Sequence, residues 1–141
     1  TVTGPTGPSV NIDYGFFTAA TATSVNDATD VALTATLISG GITYESPTIT
    51  CATAGNYKID IGYSVNSAQD TIFELRINGA LVGVNGRCGC TNTLTHTSIS
   101  TIFAIGADQT VTLRNVSGAT RTLTSSTSTA SLACYLVIKR L

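Results

Sequence analysis

Charge is what this sequence has least of. Asp, Glu, Lys and Arg make up only 11% of its 141 residues, against about 25% in ordinary soluble domains. Seven basic and eight acidic side chains leave a net charge of -1, so no basic stripe is available for nucleic acid or an anionic membrane surface. No apolar run approaches the ~20 residues of a membrane-spanning helix, and membrane insertion is not expected. Helix signals are missing too, since no window carries apolar residues at i, i+3, i+4 and i+7 behind a cap. Hydrophobic residues nevertheless reach 43%. With so few charges, much of the surface is either neutral Thr, Ser and Asn or covered by partners. A chain of this length makes one ordinary domain and buries roughly two-thirds of its unfolded surface.

Signatures of catalysis and metal binding are equally scarce. His96 is the single histidine, and no nucleophile motif adjoins it; a Cys–His pair with Cys88 or Cys90 would require the partners to meet in space. The carboxylates are scattered, without the close pair that glycoside cleavage uses. Asn26, Asp27 and Asp30 share one short stretch, but a hard cation wants six or more oxygens, and 25–30 reads as a solvated loop. The four cysteines, Cys51, Cys88, Cys90 and Cys134, allow three pairings if all are oxidised. Cys88-Gly89-Cys90 is a CxC and not the CxxC of redox and zinc motifs, while Cys51 and Cys134 stand alone. These cysteines read as structural, either buried thiols or surface disulfides, including disulfides between chains. Asn115-Val116-Ser117 matches the N-glycosylation pattern but also reads as a strand running into a turn. No enzyme activity, cofactor or metal is expected.

What the sequence does have is Thr, Val and Ile, broken at intervals by Gly, Asn and Ser, the composition of an all-β domain. The clearest strand is 56–66, where Tyr57, Ile59, Ile61, Tyr63 and Val65 share one face and Lys58, Asp60, Gly62, Ser64 and Asn66 the other. That period of two is the mark of a half-buried strand. Next, 71–78 turns Phe73, Leu75 and Ile77 inward and Glu74, Arg76 and Asn78 outward. Asn78-Gly79 is a strong two-residue hairpin signal, because both turn positions need positive φ; the return strand is 81–84. The stretch 85–92, which holds the CxC, reads as a loop. Strand 94–105 points Ile99, Phe103 and Ile105 inward, and 109–116 with 121–126 reads as a hairpin about Ser117-Gly118. Shorter strands are expected at 15–21, 32–38, 42–44 and 48–51. The predicted core comprises Tyr57, Ile59, Ile61, Phe73, Leu75, Ile77 and Phe103.

The last strand, 130–141, differs from the others. Leu132, Cys134, Leu136 and Ile138 form one apolar face, and Ala133, Tyr135 and Val137 make the other face apolar too. A strand of this kind is central in its sheet or lies against a partner. About ten short strands at spacings of roughly 8–12 residues predict a sandwich or jelly roll. A trimer with the last strand near its axis would protect the sheet edges.

Ahead of all this lie two Gly-X-Y triplets, Gly4-Pro5-Thr6 and Gly7-Pro8-Ser9, after which Val10 occupies the next glycine slot. Glycine at every third position is what three polyproline-II chains require at their shared axis. The expected organisation is therefore the end of a collagen-like stalk at 1–9 and a globular head at 10–141. Hydroxyl side chains at Y suit a stalk made without prolyl hydroxylation, and Thr3 and Thr6 are candidates for O-linked sugars.

These triplets, the Gly55-Asn56-Tyr57-Lys58-Ile59 strand and the apolar terminal strand resemble the C1q/TNF-like trimeric head. More narrowly, 55–68 followed by Leu75-Arg76-Ile77-Asn78-Gly79 is similar to the head of the BclA-type collagen-like glycoproteins of bacterial exosporium. The resemblance implies a ten-stranded jelly roll, an obligate homotrimer and a role in nucleating the collagen triple helix. It further implies an extracellular position on the spore surface, among other spore-surface proteins. On it, Tyr57 and Ile59 are core of the central strand, and 135–138 is the buried terminal strand. The expected trimer interface draws on Phe17, Tyr63, Tyr135, Val137 and Leu141. The four cysteines and the CxC depart from the family. Two other readings stand beside this one. A C1q-like or lectin-like module would bind a host-cell protein or glycan, using the loop that carries Arg87. A phage tail-fibre tip also combines collagen triplets with β-rich trimers.

Overall fold

The computed structural model describes residues 12–65, 70–90, 96–124 and 132–141. Its strands, in chain order, are β1 (Tyr14–Ala20), β2 (Thr23–Val25), β3 (Thr34–Ser39), β4 (Ile42–Glu45), β5 (Thr48–Cys51), β6 (Gly55–Ser64) and β7 (Thr71–Ile77). They continue with β8 (Ala80–Leu81), β9 (Arg87–Cys90), β10 (His96–Ile105), β11 (Gln109–Asn115), β12 (Arg121–Leu123) and β13 (Leu132–Arg140). One sheet has the order β10-β6-β13-β1-β3. The other runs β4-β5-β11-β7-β8, with β9 also paired to β7. All ladders are antiparallel, and a short β12–β2 pair flanks the two sheets.

The core is what the two inner faces share. Tyr57, Ile59, Ile61 and Tyr63 of β6 are fully buried, as are Phe73 and Leu75 of β7. Across the sandwich the rings of Tyr63 and Phe73 lie 4.6 Å apart, and those of Phe17 and Tyr44 5.1 Å. Ile77 and Phe103 sit at the margin, partly buried against the same cluster. The Tyr63 hydroxyl, deep inside, donates to the carbonyls of Cys88 (2.5 Å) and Thr71 (3.2 Å). This supplies the partner that a buried phenol needs.

β13 lies between β6 and β1, the central position its two apolar faces require. Asn78 and Gly79 have φ of 50° and 75°, the left-handed pair that turns β7 into β8.

In several places the fold departs from the sequence expectation. The stretch expected as a loop over 85–92 contains β9, which pairs with β7 from Thr71↔Cys90 to Glu74↔Arg87. Behind Ala80–Leu81 the chain makes a 3-10 turn, Val84–Gly86, where a longer return strand was expected. β12 does not form a hairpin with β11: it pairs with β2, a strand of three residues too short to show a period. β11 instead runs between β5 and β7. Buried Asn115 enforces the separation, since its Nδ2 donates to the carbonyls of Val25 (2.8 Å) and Ala119 (2.9 Å). The Gly-X-Y triplets with Thr3 and Thr6, and the strand ends expected at 66, 94–95, 125–126 and 130–131, lie outside the described residues.

Candidate functional site

The five-stranded sheet has an outer face that the described residues leave uncovered. β13 alternates: Cys134, Leu136 and Ile138 are buried inward, while Tyr135 and Val137 are half-buried on the outside. Register extends this face sideways. Val137 stands opposite Phe16 on β1 and Asp60 on β6, and Phe16 opposite Leu37 on β3, itself 55% exposed. Tyr135 stands opposite Thr18 and Gly62. At one end Leu132 (56% exposed) faces Ala20, and toward the other Ile102 (59% exposed) faces Lys58. Single exposed apolar side chains are ordinary, but a contiguous set across neighbouring strands marks an interaction surface. Polar side chains share the face: Lys58 pairs with Asp60 at 3.2 Å, Lys139 stands directly opposite Lys58, and Thr18, Ser64, His96, Ser98 and Ser100 lie on the same side.

Gly62 explains why Tyr135 lies flat. A Cβ there would meet the Tyr135 ring at 2.3 Å, so glycine opens the shelf on which the ring rests. His96 stacks on the same ring, centroids 6.0 Å apart and planes 24° from parallel, and shares a 3.4 Å hydrogen bond with Ser64. The histidine is therefore committed to the sheet surface, with Ser64 and Tyr135 as its contacts.

Two of the expected interface residues do not belong to this face. Phe17 and Tyr63 are both 0% exposed and enclosed within the protomer. On β1 the outward side chain is Phe16, one position away, because the register with β13 sets the parity. Tyr135 and Val137 are on the face, and Leu141 is 66% exposed just beyond β13.

Where the chain enters β1, Asp13 forms a clamp. Its carboxylate accepts from the Gly41 amide at 2.7 Å, with Tyr57 Oη at 3.4 Å and Arg140 Nη1 at 3.5 Å. Its own carbonyl accepts from Arg140 N at 2.9 Å, and the Asn56 carbonyl from Leu141 N at 2.9 Å. The Gly41 amide leads in holding the Asp13 carboxyl below its ordinary value of 3.8. Both ends of the described chain are thereby fastened at one end of the sandwich.

Within the protomer the four cysteines are free thiols. Burial pushes Cys51 and Cys88 up to about 11 and Cys134 up to about 12, and only Cys90 is partly open to solvent. Asn26, Asp27 and Asp30 do not converge on a cation. Asn26 accepts from the Thr120 hydroxyl, Asp27 from the Gly118 amide, and Asp30 from Arg114 Nε at 2.6 Å. Asn115 is fully buried, and its amide nitrogen, where a sugar would attach, holds two backbone carbonyls. Among the described residues no group of three or more His, Cys, Asp or Glu is placed to hold a metal.

Glu74, expected to point into solvent, is on the outer face of the six-stranded sheet yet only 1% exposed. Arg76 and Arg87 cover it, donating through Nε at 2.7 Å and 3.1 Å. Sequence alternation placed its face correctly; only the fold shows two guanidiniums closing over it.

No family model matches this chain, and no curated protein matches it significantly. Solved structures do. Murine APRIL is similar over 92% of this chain and 99% of its own, with a TM-score of 0.68 at 13% identity. The globular domain of zebrafish complement 1qA protein is similar over 92% and 95%, with a TM-score of 0.64 at 10% identity. The PRD1 vertex protein is similar over 93% and 98%, with a TM-score of 0.61 at 10% identity. Identities this low speak to architecture alone, and the architecture is the C1q/TNF-like jelly roll.

Proposed function

We propose that this chain is the homotrimeric head of a collagen-like filament on the outer surface of a bacterial spore, the exosporium. The observation that carries the reading is the uncovered apolar face of the five-stranded sheet, Phe16, Leu37, Ile102, Leu132, Tyr135 and Val137, beside a chain that opens with two Gly-X-Y triplets. Three copies burying that face fix three chain starts side by side. Holding the strands together removes most of the association entropy that opposes triple-helix nucleation, as an effective concentration does for any linked pair. The role is mechanical, without catalysis, and Thr3 and Thr6 would carry O-linked sugars on the stalk.

Sedimentation of the chain tests the assembly: a trimer is expected at micromolar concentration, and monomer alone would remove the reading. Nucleation is tested by adding Gly-Pro-Thr triplets ahead of Gly4 and following triple-helix refolding by circular dichroism. The intact head should speed refolding, and Val137→Asp should abolish the gain; equal rates would exclude the capping role.

A further inference from the structure

A three-fold ring cannot join like to like. Each copy meets its two neighbours through two different surfaces, because the contact is heterologous and closes only by rotation. Each copy also fills one third of the circle about the axis, so those two surfaces meet at an edge of the protomer. A single sheet face turned toward the axis would touch its neighbours only along its margins. The apolar face of the five-stranded sheet therefore supplies one of the surfaces, and a side of the sandwich must supply the other.

The five-stranded sheet has two sides, bounded by β3 and β10. β3 is six residues long, and its register with β1 shifts between Phe16 and Phe17, an irregularity of the kind that protects an edge from pairing. β10 has no such device. It runs ten residues in unbroken register with β6, pairs with no strand on its other side among the described residues, and contains no Asp, Glu, Lys, Arg or Pro.

The core is also open along β10. The inward residues of β6 are fully buried, yet Thr97, Ile99, Thr101 and Phe103, which alternate inward on β10, are only partly buried. Between β10 and the 3-10 turn lies a groove of about 620 Å³, with Ile99 and Thr101 on the β10 side and Val84 on the turn. Val84 is 80% exposed. Lys58 and Ile102 belong both to this groove and to the sheet face, so the two surfaces meet along them. The two cations that border the groove already hold carboxylates, Lys58 with Asp60 and Arg87 with Glu74. Covering it therefore leaves no uncompensated charge.

We propose that the groove beside β10, with Val84 as its apolar projection, is the surface that receives the sheet face of the next copy, Phe16, Leu37, Tyr135 and Val137. This rests on the homotrimer reading and says which two surfaces make its contact.

Sedimentation of complementary variants tests it. Val137→Asp damages only the face and Val84→Asp only the groove, and each alone should lose the trimer and run as a monomer. An equal mixture should form a dimer that neither variant forms alone, because one intact face then meets one intact groove and the ring cannot close. Val84 is exposed on a turn, so its variant should keep the parent's circular dichroism. Leu37→Asp, 55% exposed on an edge strand, replaces Val137→Asp in the mixture if the latter does not fold. A parent chain that is monomeric would remove the trimer reading and this inference with it. A trimeric parent with an equally trimeric Val84→Asp would leave the trimer standing, free the groove for another occupant and overturn the inference. Folded variants that stay monomeric when mixed would overturn the pairing of these two surfaces.

Discussion

Asp13 is the residue on which the junction depends. Its carboxyl, held low chiefly by the Gly41 amide, contributes stability that is complete above the unfolded value near 3.8. That stability is lost as pH falls through the lower folded value. Asp13→Asn should therefore lower the urea midpoint at neutral pH and flatten its acid dependence below about pH 4. A variant with the parent's full acid sensitivity would place that sensitivity elsewhere. The thiols give a second residue-scale expectation. Cys90 should react with an aromatic disulfide reagent in the folded protein at about pH 8, and Cys51, Cys88 and Cys134 only on unfolding, because burial withholds both access and the thiolate. Mass spectrometry of the labelled sites checks it. Free thiols against disulfides were not distinguishable in the sequence, since spacing says nothing of which sulfurs face each other.

At the scale of the element, β13 and β6 act through Gly62 and Tyr135. Gly62→Ala forces the Tyr135 ring off its shelf and should cost about 1–3 kcal/mol, read from denaturant unfolding. Tyr135→Ala in the same chain should recover part of that loss, because the clash needs both partners; additive losses would mean the ring is not the obstacle. Gly79 offers a contrast. Nothing lies within 4 Å of an added Cβ there, and its φ is 75°, so Gly79→Ala should cost only about 1 kcal/mol, from backbone strain alone. Strands with a period of two, 56–66 and 71–78, were legible in the sequence because alternation is written in consecutive residues. β9 was not, since Arg87-Cys88-Gly89-Cys90 carries no run of strand formers and pairs only because β7 has a free edge. β2, three residues long, left no period to find, and its partner β12 was assigned to the wrong neighbour.

For the whole molecule, the uncovered sheet face predicts a melting temperature that rises with protein concentration, as mass action requires of an assembly that binds only the folded chain. Tyr135→Asp should abolish that dependence or unfold the protein, since an unpaired charge would be placed among apolar side chains. Calorimetry over a range of concentrations checks it: a variant that kept the dependence would place the contact off β13.

The sequence by itself determined the all-β class, the inward alternation of β6 and β7, the hairpin at Asn78-Gly79 and the double-sided apolarity of β13. Each of these is a local property, carried by neighbouring residues and by what glycine, asparagine or a β-branched side chain can do. Only the tertiary structure decided that Phe16 rather than Phe17 faces outward and that Tyr63 is sealed in the core. It also decided that Glu74 lies buried beneath two arginines and that three of the four thiols are buried. Those depend on register between strands far apart in the chain, where a shift of one residue exchanges the two faces of a sheet.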